Sequence, residues 1–336
     1  MAHNLDITAG TATALFARED AWHKLGTTLP DAFTAEDAMD IGHLGGWNVR
    51  KAPLTLHDAS PDDDAEVAIL DVPDRWATVR TNPINGRTDY LGVVGKSYSP
   101  IQNEEHCELL NALVGESGAH FDTAGALCGG RQVFITMKLP ETMLIGGVDQ
   151  LDVYIAALNS HDGTSAFRLM TTPVRIVCAN TQAAALRDNS GVFSIRHTTG
   201  AKSAILEARR SLGLTFKYLE DFQAEADKMI QETLTEADFH QIITDNFGPE
   251  DSANATSRLL KSWAEEEATL MSLFADAQTN AGIRNTVWSG YQTCVEYLDH
   301  FAPARGDDVA LARATRNLFG QDAGFKTALF DLFAVA

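Results

Sequence analysis

The strongest constraint on the fold is a series of short apolar runs between residues 120 and 170. Runs at 120–127, 132–139, 151–158 and 166–170 have strand length and strand composition. Turn chemistry separates them, as Gly129-Gly130-Arg131 and as the polar stretch from Asn159 to Ser165. Thr171-Thr172-Pro173-Val174 then reads as a helix start, with a threonine cap and proline in the first turn. The expected helix covers 174–187, and a short strand follows at 192–197. A meander feeding a helix predicts an α+β fold, an antiparallel β-meander packed on helices, rather than a doubly wound sheet.

Before the meander, the first 50 residues read as a short helix and a turn. Thr34-Ala35-Glu36-Asp37 is a helix cap with acids in the first turn. Strand-like runs cover 47–56, 66–72 and 76–80, and Ser60-Pro61-Asp62-Asp63-Asp64 is a solvated loop. Asn82-Pro83-Ile84-Asn85-Gly86 makes a hairpin of 76–80 with 88–94. Asn103 is the expected cap of a helix whose apolar face carries Leu109, Leu110 and Leu113.

From residue 199 the period changes. Apolar residues at 205, 208, 212, 216, 219, 222, 226 and 229 alternate three- and four-residue steps. They predict one long amphipathic helix, or two broken near Gly213, with a seam suited to a partner helix or to its own sheet. Further helices are expected at 256–277, 284–301, 310–319 and 325–333. Trp263, Trp288, Tyr291, Tyr297 and Phe301 would build their core, while Trp22 would dock on the sheet. The expected division is an α+β core over 1–200 and a mainly helical region over 201–336.

The net charge of −20 argues against general adhesion to nucleic acid, whose affinity comes largely from lysine and arginine. That charge is unevenly spread: net −11 over residues 1–119, +3 over 120–217 and −12 over 218–336. A positive face on an acidic body is compatible with this pattern. No membrane-length apolar run and no basic-then-apolar leader occurs, so a cytoplasmic chain without a membrane partner is expected. Cys107, Cys128, Cys178 and Cys294 stand far apart and read as buried thiols in a reducing compartment.

Phosphate-loop, dinucleotide, zincin, nucleophile-elbow and deaminase patterns are all lacking, and the ten histidines are scattered. No catalytic residue, metal or cofactor is therefore expected. Ser160-His161-Asp162 has the residue types of a triad, but turn neighbours do not form that relay, which needs convergence from separate elements. Asn159, Ser160, His161 and Asp162 instead read as a ligand-contacting or purely structural turn. An enzyme using His161 and Asp162 on a small substrate is a further alternative. Arg131, Lys138, Arg168, Arg175, Arg196 and Lys202 would neutralise phosphates, with the Thr172 helix start offering backbone amides. The competing reading pairs these cations with the abundant acids.

Ala21-Trp22-His23-Lys24-Leu25-Gly26, the run from Gly130 to Pro140, and residues 160–186 resemble the phage/plasmid-like protein family. Glu296-Tyr297-Leu298-Asp299-His300-Phe301 and the run from Arg313 to Gly320 extend that resemblance. It implies a protein of actinobacterial phages and mobile elements, acting in the host cytoplasm and bearing a domain of unknown function. The element order is also similar to the Erf and Red-beta types of single-strand annealing protein, which implies rings or filaments holding one strand. The expected role is single-stranded nucleic-acid binding by a homo-oligomer, with strand annealing in phage recombination as its setting. The alternative is an acidic interaction module that inhibits a host protein or mimics nucleic acid.

Overall fold

The computed structural model describes residues 5–18, 25–58, 68–175, 193–197, 219–249, 254–303 and 322–334. Its centre is a meander of β8 (His120–Leu127), β9 (Gln132–Ile145), β10 (Asp149–Ser160) and β11 (Phe167–Arg175), closed by β12 (Phe193–Ile195). Left-handed backbone at Cys128, Gly129 and Gly130 makes the first turn, and Gly146-Gly147 makes the second. Two further strands, β3 (Ala14–Ala17) and β4 (Thr27–Leu29), complete a seven-stranded sheet of order β12-β11-β10-β9-β8-β3-β4. All neighbours are antiparallel except β3 and β4. A small ribbon of β1 (Ile7–Thr8) and β2 (Thr11–Ala12) precedes them.

The N-terminal strands were not legible as strands. Ala14–Ala17 is a four-residue run with every residue buried, too short for a period to show. The Thr34 cap does form: its hydroxyl accepts from the Asp37 amide and starts α1 (Ala35–Asp40). A second sheet has the order β5 (Arg50–Asp58), β6 (Ala68–Thr81) and β7 (Thr88–Gly95). The two runs at 66–72 and 76–80 merge into β6, which continues through the left-handed Asp74.

In α2 (Asn103–Ser117) the cap is Gln102, not Asn103. Glu105 accepts from the Gln102 amide, which frees the Asn103 side chain for a tertiary role. Strand β9 runs past the expected end at 139. Its pairing with β8 stops at Lys138, so Pro140 lacks an amide where that neighbour no longer needs one.

The helix start at Thr172 is corrected. Thr172, Pro173 and Val174 lie inside β11, opposite Tyr154, Val153 and Asp152 of β10. β-Branched residues suit the pleat, and β12 pairs only with Phe167, Arg168 and Leu169, so Pro173 sits beyond that ladder. The rest of the expected helix at 174–187 lies outside the described residues.

One face of the large sheet, carrying Ala124, Ile135, Ala157 and Leu169, packs into the main core with Leu110 of α2 and with Trp47 and Leu91. The same core continues into helices: α3 (219–229), α4 (Glu236–Phe247), α5 (Ser257–Asp276), α6 (Val287–Glu296) and α7 (Asp322–Ala334). A π-helical turn, Tyr297–Phe301, extends α6. The described part of the long amphipathic seam, Leu219, Phe222, Ala226 and Met229, is filled by the chain itself, with Phe222 stacked on Phe330 at 4.8 Å. Trp288 donates to Asp149 Oδ2 at 2.7 Å, and Asp227 accepts from the Gly146 amide at 2.7 Å. These two bonds dock the helices on the β9–β10 turn. Phe301 departs from its expected core role, being 46% exposed. Trp22, Cys178 and residues 310–319 lie outside the described residues. The architecture is α+β: sheets in the N-terminal half, mainly helices in the C-terminal part. No described helix is long and apolar enough to cross a membrane.

Candidate functional site

The turn after β10 is held from three sides. Asp162 Oδ1 accepts from the Ser160 hydroxyl at 2.6 Å, the Thr164 amide at 2.9 Å and the Thr164 hydroxyl at 2.6 Å. It thus fastens its own turn, as aspartate does in Asx-turns. Behind it, Gly92 of β7 lies so close that a Cβ there would stand 2.6 Å from the Asp162 Cα. The turn is pinned to the meander as well: the His161 amide donates to the Arg131 carbonyl at 2.7 Å.

His161 is no triad base. Its side chain is fully buried, with Nε2 donating to Asn103 Oδ1 at 2.9 Å and the Trp47 ring 5.7 Å away. Asn103 in turn donates to the Leu44 carbonyl at 2.9 Å, which orients its amide. Burial, reinforced by His197, His106 and Arg80, pushes the His161 pKa down to about 3. Two other histidines share this interior. His106 stands edge-on to Phe167 at 5.1 Å, and burial lowers its pKa to about 3. His197 stacks on Tyr98 at 4.9 Å, and burial lowers its pKa to about 4 despite a backbone hydrogen bond with Ser99. All three are neutral at pH 7. The Cys107 thiol is pushed up to about 12, first by burial and then by Glu104, so it is protonated.

A cleft of about 450 Å³ opens where the end of β7, the 163–166 turn and residues 196–197 meet. Ser97, Tyr98, Gly163, Ser165, Arg196 and His197 are among its lining residues. Tyr98 is fixed by its hydroxyl, which donates to the Ser160 carbonyl at 2.9 Å; the Ser99 amide donates to the His197 carbonyl at 2.9 Å. The His197 residue is 6% exposed, and its ring nitrogens, like those of His106, are closed off from solvent.

Of the basic residues singled out in the sequence, Arg196 lines the cleft. Arg131 is exposed beside the turn, Arg168 is half-buried in β11 and Arg196 is exposed at the cleft, each without an ionic partner among the described residues. Lys138 lies elsewhere. It is six residues along β9 from Gln132, about 20 Å at strand rise, and forms an ion pair with Asp152. Arg18, His120 and Asp122 adjoin it, with Arg18 2.5 Å from Asp122. Thr172 and Arg175 lie in β11 opposite Tyr154 and Leu151, and Lys202 lies outside the described residues. Asn159 is 2% exposed and donates to the Ile101 carbonyl at 3.0 Å, a structural contact.

Ser97, Tyr98 and His197 were missed as site residues. The adjacent basic pair Arg196-His197 at a strand end was the available signal; for Gly95-Lys96-Ser97-Tyr98 nothing local distinguishes a cleft wall from an ordinary loop.

No curated protein and no solved structure matches the chain. A family model described as a domain of unknown function, DUF932, matches residues 90–318, a stretch that includes the cleft, the three histidines and the whole meander. The chain belongs to the DUF932 family.

Proposed function

We propose that the chain binds single-stranded nucleic acid at the turn-bearing end of its large sheet, as a homo-oligomer encoded by a phage or other mobile element. The observation that supports this reading is Arg196 exposed on the cleft wall, with Arg131 beside the adjoining turn and Arg168 in the adjoining β11, each without an ionic partner among the described residues. An arginine exposed on a cleft wall offers its guanidinium fork to an outside phosphate. Antiparallel strands ending in a basic, turn-rich edge also suit the annealing-type role in recombination. The acids of Asp162 and Asp152 oppose it less than their number suggests, because each is engaged by its own neighbours.

The test is binding of purified protein to labelled single- and double-stranded oligonucleotides across a salt series, with mass photometry for assembly. Each neutralised phosphate adds about −0.7 to the salt slope for a single strand, so three arginines give about −2. Arg131→Ala, Arg168→Ala and Arg196→Ala combined should weaken binding and flatten that slope towards zero. Unchanged binding, or none even at low salt, would overturn the reading and turn attention to a host-protein partner for the acidic surfaces.

A further inference from the structure

We propose that the outer face of the β5–β6–β7 sheet is the contact through which two copies of this chain pair about a two-fold axis. Ladder partners place Arg50, Val79 and Tyr90 in one row of this face, and Ala52, Ala77 and Val93 in the next. By strand alternation Leu54 and Leu56 follow Ala52, and Leu70 stands opposite Leu56. The reverse face is the buried one: Thr78 and Val94 are covered there, and Gly92 lies against Asp162. Leu56, Leu70, Tyr90 and Val93 are 55%, 50%, 53% and 43% exposed, and none of the four belongs to the hydrophobic core. Apolar side chains gathered on one face, unlike single exposed residues, mark a contact surface.

At one end this sheet thins to a ribbon. Strand β7 pairs with β6 only from Arg75 to Thr81, whereas β5 and β6 continue together from Thr55–Asp71 to Asp58–Ala68. A two-stranded ribbon is at best marginally stable in water, and this one carries its Leu56–Leu70 pair uncovered. Charge selects the occupant. Residues 54–74 contain six aspartates, one glutamate and no lysine or arginine, and Asp71 and Asp74 are exposed. The other end holds the exposed Arg87 and Arg50, whose Nη1 donates to the Asn48 carbonyl at 3.1 Å and the Thr81 hydroxyl at 3.2 Å. Neither arginine has an ionic partner among the described residues. An apolar face that is acidic at one end and basic at the other is its own complement after a half-turn. Two copies laid antiparallel set each ribbon over the other copy's β6–β7 rows, with acids against Arg50 and Arg87. Packed sheets stand about 10 Å apart, room for one interdigitated layer of side chains. Such an isologous contact closes at two copies.

The interface deepens the homo-oligomer part of the reading above and itself needs no nucleic acid. Sedimentation velocity of the full chain without nucleic acid, from about 1 to about 50 μM, reads the pairing. Wild type should sediment as a dimer, and Leu56→Asp and Tyr90→Ser should each raise its dissociation constant about tenfold or more. Ile69→Ser, opposite His57 on the reverse face of the same ribbon and 64% exposed, should leave the dimer unchanged. Tyr90 lies exposed in the three-stranded part, so its variant folds even if the ribbon variant does not; circular dichroism checks both. A wild type that stays monomeric throughout, or a dimer unaffected by both variants, overturns the proposal. So does an Ile69→Ser that dissociates it as strongly as Leu56→Asp. Oligonucleotide binding separates the two readings. A dimer that persists in both variants of a strand-binding protein defeats this interface alone. A dimer lost in both variants of a protein that binds no oligonucleotide upholds the interface and defeats the strand reading.

Discussion

Arg80→Met removes a charge on which three separate elements converge. Arg80 lies in β6 and is 1% exposed. Its Nε and Nη2 donate to Asp89 Oδ2 at 3.0 and 2.9 Å, and its guanidinium carbon lies 4.1 Å from the centre of the Trp47 ring. Nη1 stands 2.6 Å from Asp6 Oδ2 but off the line of a hydrogen bond, so that attraction is chiefly ionic. Asp89 is partly exposed and can hydrate; Asp6, 4% exposed, would keep only bonds such as that from the Thr13 hydroxyl at 3.1 Å. Stranding one member of a buried pair costs about 3–5 kcal/mol. Loss of a desolvated cation–ring contact adds about 1 kcal/mol. The expected destabilisation is about 4–6 kcal/mol, or about 6–8 °C in melting temperature for a chain of this length. Urea and thermal unfolding of wild type, Arg80→Met, Asp6→Asn and the double variant measure it. Because the stranded Asp6 charge dominates the cost, the double variant should be more stable than Arg80→Met alone. A loss below about 1 kcal/mol, or costs that simply add, would refute the reasoning.

Stability should also fall with pH below 6.5. His106, His161 and His197 remain neutral in the fold down to about pH 3, 3 and 4, whereas an unfolded histidine takes up a proton near 6.5. Below 6.5 the unfolded chain therefore binds more protons, and each histidine removes up to about 1.4 kcal/mol of stability per pH unit; above 6.5 the contribution is complete and flat. Urea midpoints at three pH values, with His106→Phe flattening the profile by one histidine's share, test this; an unaltered slope in that variant contradicts it. Gly92→Ala places a methyl group 2.6 Å from the Asp162 Cα and 2.8 Å from its carbonyl oxygen, so backbone must move. It should cost about 1–3 kcal/mol in urea unfolding, and wild-type stability would mean that the turn is not held against β7.

What could be read beforehand follows how local the signal is. Strand β8 matches its expected bounds, because turns closed it on one side and polar residues on the other. The Thr34, Thr256 and Gln102–Glu105 helix starts obey local hydrogen-bond chemistry, although at the last the neighbouring asparagine was the better cap by propensity alone. Asn103 is instead used across 58 residues, by His161. Strand β3 becomes a strand only by adding to β8, and no four-residue run announces such a partner. Thr172-Pro173 is a good helix start in isolation, but β10 supplies a ladder next to it, and tertiary pairing overrides propensity. For the site, the polar turn and its basic neighbours were visible as composition. The cleft was not, because its other wall comes from β7, some 65 residues earlier in the chain, and proximity of that kind leaves no trace in spacing.

The acidic body and the basic cleft need not conflict in a single-strand binder. A duplex carries one charge per about 1.7 Å and a single strand one per about 3.4 Å, so repulsion from the acidic thirds falls harder on the duplex. That repulsion fades within about 8 Å at physiological salt, whereas Arg131, Arg168 and Arg196 would act at contact. A flexible strand can thread to the cleft and keep its remaining phosphates in water; a stiff duplex cannot follow without bringing both backbones near the acids. Residues 1–119 and 218–336, at net −11 and −12, would then act in selection, by disfavouring the wrong partner more than the right one.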